Sequence, residues 1–266
     1  MKLTFLGTGT STGVPQMRCA CAACRSTDPR DKRLRASVLI ETEPGAPAIL
    51  IDCGPDFRQQ MLRLGSPDLA AVLLTHTHYD HVGGIDDLRP YAYSAPGARF
   101  PIYCLADVAN DLRSRIPYCF ISHPYPGVPQ FTLNIIEPFK EFTLTPGDGF
   151  RPVDILPVPV LHGKLEIIGF RIGPLAYITD ASYVPEATIE ALKGVDTLVI
   201  NALRHDTHMS HLNLSQALDV IKVIRPRQAF LTHMSHDMGP HEQAQKLLPA
   251  GCAFAYDGLT VGIAEQ

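Results

Sequence analysis

Residues 71–81 read AVLLTHTHYDH, and this stretch decides the fold: an apolar run of strand length leads directly into three histidines and an aspartate. Side chains alternate along an extended chain, so His76 and His78 point to the same side. If the chain then turns into a helix, Asp80 and His81 project towards a second point nearby. Histidine accounts for only 11 of 266 residues, so three within six positions indicate a metal site more than a polar loop. The segment is therefore predicted to supply two ligands to each of two cations.

The remaining ligands of such a centre must come from distant parts of the chain. Three polar residues each follow an apolar, strand-like run, and they are His162, Asp180 and His233. Imidazole and carboxylate ligands without thiolate suit Mn²⁺, Zn²⁺ or Fe²⁺, and ligand type alone does not choose among these metals. Two such cations roughly 3.5–4 Å apart can lower the pKa of a shared water and stabilise charge on attacking and leaving oxygens. The sequence therefore predicts a centre with two divalent catalytic metals.

The cysteines indicate a second metal site. Three of the seven cysteines lie within six residues, as Cys19, Cys21 and Cys24. An odd number of cysteines in a reducing compartment favours metal binding over disulfides, and a structural zinc ion takes four nitrogen or sulfur ligands. The other interpretation is a cluster of free thiols on a loop. We therefore expect a structural zinc loop near residues 19–24, with its fourth ligand still to be found.

Length and composition favour one domain over residues 1–266. The chain is 45% hydrophobic and 19% charged, and it has no internal repeat, low-complexity tract or long linker. Helices are predicted over Asn213–Ile224, with a capping box of Asn213 and Gln216, and over Pro185–Lys193. Stacked sheets covered by helices, a four-layer αββα sandwich of the α/β class, are one of several architectures that fit. The predicted strands are Ser37–Thr42, Ala48–Asp52, Ala71–Thr75, Pro101–Leu105, Phe131–Ile136, Val153–Val160, Ile167–Ile172, Leu175–Thr179, Thr197–Asn201, Gln228–Thr232 and Cys252–Tyr256.

Charge and hydropathy narrow the range of partners. The net charge is −4 and the pI is near 6.2, which does not favour nucleic-acid binding over an extended surface. The apolar runs have strand length and are too short to cross a membrane. The first residues pass from a short apolar stretch into a glycine turn and lack the features of a signal peptide. We therefore expect a cytoplasmic protein without a membrane partner.

The chain resembles the metallo-β-lactamase superfamily, whose His-x-His-x-Asp-His motif it carries at residues 76–81. Within the superfamily it most resembles the phosphoribosyl 1,2-cyclic phosphate phosphodiesterases of the carbon–phosphorus lyase pathway. The matching pieces follow one another along almost the whole chain: Gly7-Thr8-Gly9, Gly13-Val14-Pro15, Cys19-Ala20-Cys21-Ala22-Ala23-Cys24, Leu161-His162-Gly163-Lys164, Thr179-Asp180, Leu231-Thr232-His233-Met234-Ser235-His236 and Tyr256-Asp257-Gly258.

The resemblance implies the metallo-β-lactamase fold and a division of the ligands. One metal would be held by His76, His78 and His162, the other by Asp80, His81 and His233, and Asp180 would bridge them. His236 would complete the structural zinc site. His211 would assist catalysis from beside the metals, and Asp80 would belong to the catalytic residues as well as to the ligands. The implied activity is a metal-dependent phosphodiesterase that opens small cyclic phosphates, ribose 1,2-cyclic phosphate or 2′,3′-cyclic nucleotides.

Other functions remain open at this point. A thioesterase of the glyoxalase II type shares the two-metal core but does not require the cysteine site. A tRNA 3′-processing nuclease would need a basic, glycine-rich arm that the sequence does not show. A non-catalytic accessory protein of cofactor biosynthesis would not need the intact ligand set. Lys164 and Arg204 are candidate phosphate contacts, and the loop 117–129, with His123, is a candidate cover for the site. The sequence leaves a monomer and a homodimer both open.

Overall fold

The computed structural model describes residues 1–92, 99–122 and 125–264, and two seven-stranded sheets form its centre. The first sheet has the order β14-β1-β2-β3-β4-β5-β6. Its strands are β1 (Lys2–Gly7), β2 (Ser37–Glu41), β3 (Ala48–Ile51), β4 (Leu69–Leu73), β5 (Phe100–Cys104), β6 (Phe131–Ile135) and β14 (Thr260–Gly262). The second has the order β13-β12-β11-β10-β9-β8-β7. Its strands are β7 (Phe142–Leu144), β8 (Val153–His162), β9 (Leu165–Ile172), β10 (Leu175–Ile178), β11 (Thr197–Asn201), β12 (Gln228–Thr232) and β13 (Cys252–Phe254).

Helices cover the outer faces of both sheets. They are α1 (Ala22–Arg25), α2 (Phe57–Arg63), α3 (Tyr79–Val82), α4 (Arg89–Ala92), α5 (Ala106–Arg115), α6 (Glu186–Ala191), α7 (Leu214–Ile224) and α8 (His241–Gln245). One apolar cluster lies between the sheets and includes Phe5 and Ile51 of the first and Phe170 of the second. Two further clusters join the sheets to their helices. Both faces of the central strands are therefore buried, which explains their continuous apolar runs, and the predicted αββα sandwich is confirmed.

The site residues gather at one edge because several neighbouring strands are parallel. β3 pairs with β4, and β10 with β11 and β11 with β12, all in parallel register. The carboxyl ends of parallel strands lie at the same edge of a sheet, where α/β proteins usually bind ligands. The segment 74–81 follows β4, Asp180 follows β10, and His233 follows β12. The order of the strands thus brings distant polar residues together.

The predicted helices and strands agree with the structure in most places. The capping box of α7 is present, because the Asn213 side chain accepts from the Gln216 backbone N–H while the Gln216 side chain accepts from the Asn213 backbone. The other predicted helix is shorter than expected, at Glu186–Ala191. All eleven predicted strands have counterparts, but the sequence analysis missed three edge or near-edge strands, β1, β7 and β14.

Within the described residues, none of the helices is long and apolar enough to cross a membrane. The predicted loop 117–129 begins with a 3₁₀ turn at Pro117–Phe120. His123 lies outside the described residues, and so its expected contact with the site stays a prediction.

Candidate metal centre

The segment after β4 has the shape that its sequence predicts. His76 lies in the irregular segment that follows β4, and His78 has extended dihedral angles (φ −61°, ψ 147°) directly before α3. Asp80 and His81 lie on the first turn of α3. His76, Asp80 and His81 are buried, whereas His78 is exposed to solvent. Because the chain changes from extended to helical here, the side chains of His76 and His78 point to one place and those of Asp80 and His81 point to a second place nearby.

The distant candidates reach the same place from three strand ends. His162 is the last residue of β8. Asp180 and His233 each follow a strand and adopt left-handed backbone angles, with φ of 57° and 55°. Non-glycine residues adopt such angles rarely, and they cluster at functional sites. The sharp turn at each position directs the side chain back over the end of its strand.

The ligand atoms form overlapping groups whose members all lie within 4.8 Å of one another. The first group is His76, His78 and His162; the second is Asp80, His81, Asp180 and His233; the third is His162, Asp180 and His211. In the second group, His81 Nε2 lies 3.3 Å from Asp180 Oδ2 and His233 Nε2 lies 3.1 Å from Asp180 Oδ1. All seven predicted ligands of the two-metal centre are thus brought together, and Asp180 lies between the two sets.

Unpartnered nitrogen atoms test whether this arrangement suits a metal. The Nε2 atoms of His76, His81 and His233 are buried and have no hydrogen-bond partner in the described part of the chain. Buried polar atoms without a partner are rare in folded proteins and call for an explanation such as an ion. The free nitrogens of His81 and His233 lie near the Asp180 carboxylate, and that of His76 lies among the imidazoles of His78 and His162. Imidazole and carboxylate donors bind first-row divalent metals. The residues therefore fit divalent cations.

Hydrogen bonds on the far side of each ring orient the histidines. His81 Nδ1 lies 2.7 Å from Asp52 Oδ2, and His76 Nδ1 lies 3.0 Å from Thr75 Oγ1. His162 Nδ1 lies 2.7 Å from the Asp180 carbonyl oxygen and 2.8 Å from that of Ser210. Partners of this kind fix the ring and its tautomer, so that Nε2 keeps its lone pair for a metal.

Asp52 is a site residue that the sequence analysis missed. It is fully buried, and besides His81 it accepts hydrogen bonds from the Thr75 backbone N–H and hydroxyl. Its backbone is also left-handed, with φ of 63°. The signal was present in the sequence, because Asp52 is a polar residue directly after an apolar strand, as Asp180 is.

Charges within the centre favour a cation at the second group. Burial raises the pKa of the Asp180 carboxyl, but His233 and His81 outweigh burial and hold that pKa well below its usual value. Burial lowers the pKa of His81, but Asp180 and Asp52 outweigh it and raise that pKa well above the usual value. Burial, with the neighbouring His81, holds the pKa of His76 well below its usual range, so that its ring is neutral. The ionised carboxylates of the second group thus stabilise a positive charge, which without a metal is a proton on His81. A bound cation would displace that proton, because imidazole binds metals in its neutral form.

His211 lies beside the centre, where the resemblance had suggested it. Its Nε2 is 3.1 Å from Asp180 Oδ1, and its ring stacks on that of His233 with centroids 5.0 Å apart. Its Nδ1 lies 3.0 Å from Ser210 Oγ and 3.2 Å from His208 Nδ1. Burial lowers the pKa of His211 to about 4, although Asp180 acts in the opposite direction. His211 is therefore held at both nitrogens and directed at the predicted bridging carboxylate.

The three clustered cysteines meet His236. Cys19 Sγ and Cys21 Sγ each lie 3.4 Å from His236 Nδ1, and all four ligand atoms, including Cys24 Sγ, lie within 4.8 Å of one another. Hydrogen bonding from the Cys24 backbone, with a smaller contribution from His236, lowers the pKa of the Cys21 thiol to about 6. Burial raises that of Cys24 to about 11. The arrangement has the four ligands that a structural zinc ion requires.

Arg33 joins the cysteine loop to the loop that carries His233 and His236. Its buried guanidinium donates from Nη1 to the Ser235 carbonyl oxygen at 3.0 Å and from Nη2 to that of Gly239 at 2.8 Å. Asp31 balances the charge, with an oxygen 2.9 Å from Arg33 Nη2. The segment that follows the clustered cysteines is therefore bonded, through this buried ion pair, to the loop that carries His233 and His236.

The candidate phosphate contacts remain predictions. Lys164 is exposed. Arg204 donates from Nη2 to the Thr207 carbonyl oxygen and lies 4.0 Å from Asp237 at Nη1.

Comparison with known proteins places this site in a family. A family model described as the beta-lactamase superfamily domain matches residues 48–234, which include all seven predicted ligands of the two-metal centre. The chain therefore belongs to the metallo-β-lactamase superfamily, as the resemblance had indicated. It is a hydrolase of the metallo-β-lactamase fold, and this fold implies that it binds divalent metal.

The proteins that are similar to the chain include the following three. The solved structure of a diphosphatase from the PhnP family is 38% identical, with a TM-score of 0.89, and the match covers 99% of this chain and 98% of that one. An octanoyltransferase of Porphyromonas gingivalis is 42% identical over 267 residues, which are 100% of this chain and 52% of the relative. The chain thus spans about half the length of that relative. A ribonuclease Z of Anoxybacillus flavithermus is 25% identical, over 88% of this chain and 87% of the relative.

Proposed function

We propose that the protein is a two-metal phosphodiesterase that opens small cyclic phosphates, either ribose 1,2-cyclic phosphate or 2′,3′-cyclic nucleotides. The observation that carries the proposal is the position of Asp180 between the two sets of ligands. Its oxygens lie within 4.8 Å of the ligand atoms of His162 on one side and of His81 and His233 on the other. A carboxylate in that position can bridge two cations.

The residues that would hold the cations follow from the groups. One cation would be held by His76, His78 and His162, and the other cation by Asp80, His81 and His233. Asp180 would bind both cations. When bound, a pair of divalent metals makes water a better nucleophile and neutralises charge on the oxygens of phosphorus. The chain contributes rigid placement of the ligands, since Asp52, Thr75 and the carbonyl oxygens of Asp180 and Ser210 hold three of the rings.

His211 is suited to handle the proton of the departing oxygen. Its side chain is 12% exposed, so Nε2 lies at the edge of the centre rather than within it. Because burial keeps the imidazole neutral, His211 would first accept the proton that the attacking water gives up and then donate it from Nε2 to the ribose oxygen as the ring opens to a monoester. The Ser210 hydroxyl and His208, which both lie near Nδ1, would orient the imidazole for this transfer.

Chemistry at phosphorus is supported by the similar proteins. The diphosphatase is a protein that cleaves a phosphate linkage, and it matches this chain from end to end at 38% identity. A diphosphate contains a phosphoric anhydride, and so a compound of this kind should be tested beside the cyclic diesters. The ribonuclease Z likewise cleaves phosphodiesters.

A thioesterase is the second candidate, because the chain matches about half of an octanoyltransferase. That protein handles an acyl group, and acyl groups are commonly transferred from thioesters. The same ligand set could bring a water to a carbonyl carbon.

We further propose that Cys19, Cys21, Cys24 and His236 hold one structural zinc ion, and that Asp80 is both a ligand and a catalytic residue. The proposed partner is a small substrate rather than an extended nucleic acid. The cytoplasmic location stays a prediction, and the choice between monomer and homodimer stays open.

The experiment compares kcat/KM for five substrates with Mn²⁺ or Zn²⁺: ribose 1,2-cyclic phosphate, 2′,3′-cyclic AMP, a dinucleoside diphosphate, S-lactoylglutathione and octanoyl-glutathione. We expect the cyclic phosphates to be preferred, and Asp180→Ala to abolish turnover while the protein stays folded. Asp196→Asn is the control. Asp196 directly precedes β11 and pairs with Arg227, at the end of β11 that lies away from the metal centre. A thioester preference of roughly tenfold, about 1.4 kcal/mol in transition-state binding, would favour the second candidate. Full activity of Asp180→Ala would refute the bridging role.

A further inference from the structure

The two sides of the metal centre differ in their access to solvent. The members of the second group, Asp80, His81, Asp180 and His233, are all buried. On the other side, His78 is exposed and His211 is partly exposed. A substrate must therefore approach from the side of His78, His162 and His211.

Three large apolar or aromatic side chains near these residues are exposed, one at the start of α3 and two in loops. Tyr79 is 64% exposed, Tyr183 is 57% exposed and Met209 is 89% exposed. Each is close in sequence to a site residue: Tyr79 follows His78, Tyr183 is three residues after Asp180, and Met209 is two residues before His211. We call these three side chains the apolar rim.

The loops of the apolar rim are held in place around His162. The backbones of Tyr183 and Leu161 exchange two hydrogen bonds, at 3.0 and 3.3 Å. The loop of Met209 touches Gly163, since a Cβ atom there would lie 3.7 Å from Ser210 Cβ and 4.0 Å from the Met209 carbonyl oxygen. Ser210 also accepts from His162 through its carbonyl oxygen.

The ring of Tyr79 packs against α3, the helix that begins at this residue. A Cβ atom at Gly83 would lie 2.7 Å from Tyr79 Cε2, so the ring packs directly against the backbone of α3. Only glycine permits this contact. Tyr79 thus presents an exposed aromatic ring, packed against α3, in the residue that follows His78.

The three segments meet at His162: Tyr79 adjoins His78, whose ring centroid lies 4.9 Å from that of His162, and the other two contact Leu161 and Gly163. Apolar and aromatic side chains around a catalytic centre are suited to contact a substrate. Two tyrosine rings and a methionine suit a flat aromatic group, because rings stack on rings and thioethers contact ring edges favourably. A phosphodiester carries such a group when it is a nucleotide. Resting on the proposed phosphodiesterase function, we infer that the apolar rim receives the base of a nucleoside cyclic phosphate. Cyclic nucleotides would then be preferred over ribose phosphates that have no base.

The test is the ratio of kcat/KM for 2′,3′-cyclic AMP to kcat/KM for ribose 1,2-cyclic phosphate. Stacking of one base on an aromatic side chain changes affinity by roughly tenfold or more, so the wild-type ratio should be at least about ten. Tyr79→Ala and Tyr183→Ala should each lower the ratio by roughly tenfold. Tyr79→Phe should retain it, because the ring and not the hydroxyl makes the contact. Val223→Ala is the control, since Val223 is 54% exposed on α7 and lies apart from the rim.

A wild-type ratio near one, or a ratio that the tyrosine variants leave unchanged, would overturn the inference while the phosphodiesterase function stands. Hydrolysis of neither phosphate would instead contradict the proposed function itself. The rim could also be covered by a second copy of the chain. Light scattering that shows a wild-type dimer and a monomeric Tyr79→Ala protein would overturn the inference in favour of such an interface.

Discussion

Asp52→Asn isolates the effect of one buried hydrogen bond on metal binding. In the wild-type protein the carboxylate accepts from His81 Nδ1 at 2.7 Å and from the Thr75 backbone N–H at 2.9 Å. An amide has one accepting oxygen and one donating nitrogen. If the oxygen stays on Thr75, the amide nitrogen faces His81 Nδ1, and the imidazole must move its proton to Nε2. That nitrogen then loses the lone pair that a metal requires.

The other orientation of the asparagine does not avoid the conflict, since its nitrogen would then face the Thr75 N–H. Loss of such a supporting partner typically weakens metal binding by roughly 10–100-fold, about 1.4–2.8 kcal/mol. We expect a loss of this size for the second group of ligands, Asp80, His81, Asp180 and His233. Excess Mn²⁺ or Zn²⁺ should restore much of the turnover, because Asp52 itself does not touch the substrate.

The assay is a titration of metal-free protein with Zn²⁺ in competition with a chromophoric chelator, followed by turnover at saturating metal. Asp196→Asn again provides the control, because it neutralises the aspartate of an ion pair with Arg227 away from the metal centre and should bind metal like the wild-type protein. An Asp52→Asn protein with wild-type affinity for both cations would show that the tautomer argument is wrong.

Three further predictions concern the metal content of the protein, His211 and the cysteine site. Elemental analysis of unchelated protein should find about three metals per chain, two in the centre and one at the cysteines, and a value of one or none would contradict the ligand assignment. His211→Ala should lower turnover by roughly 10²–10⁴-fold with the catalytic metals retained, and their loss would make His211 a ligand instead. Cys21→Ser should lower the midpoint of thermal unfolding by opening the zinc site, and an unchanged midpoint with full zinc content would contradict that role.

Much of the site could be predicted because its signals are local. The alternation of a strand places His76 and His78 together, and a capping box marks the start of α7, so short stretches of sequence contain both. Asp180 and His233 were also identified, since a polar residue after an apolar strand can be seen without knowing which strands are neighbours.

Other features depend on contacts between distant residues. The sequence alone did not show which strands share a sheet, and so the αββα layers were one option among several until the pairing was known. Asp52 was missed because its partner, His81, lies 29 residues away. The apolar rim was missed for another reason: whether a tyrosine or methionine is exposed depends on every loop around it.

The left-handed backbone at Asp52, Asp180 and His233 affects the stability of the fold as well as its chemistry. A side chain in this conformation crowds the following carbonyl group, which costs roughly 1–2 kcal/mol for most residues and less for aspartate. Glycine would remove that strain, but it would also remove the carboxylate or imidazole. At Asp52 and Asp180 the hydrogen bonds and ion pairs of the carboxylate offset this cost. His233 has no such compensation at Nδ1, so His233→Gly is the substitution that can destroy activity and yet raise the unfolding temperature of the metal-free protein.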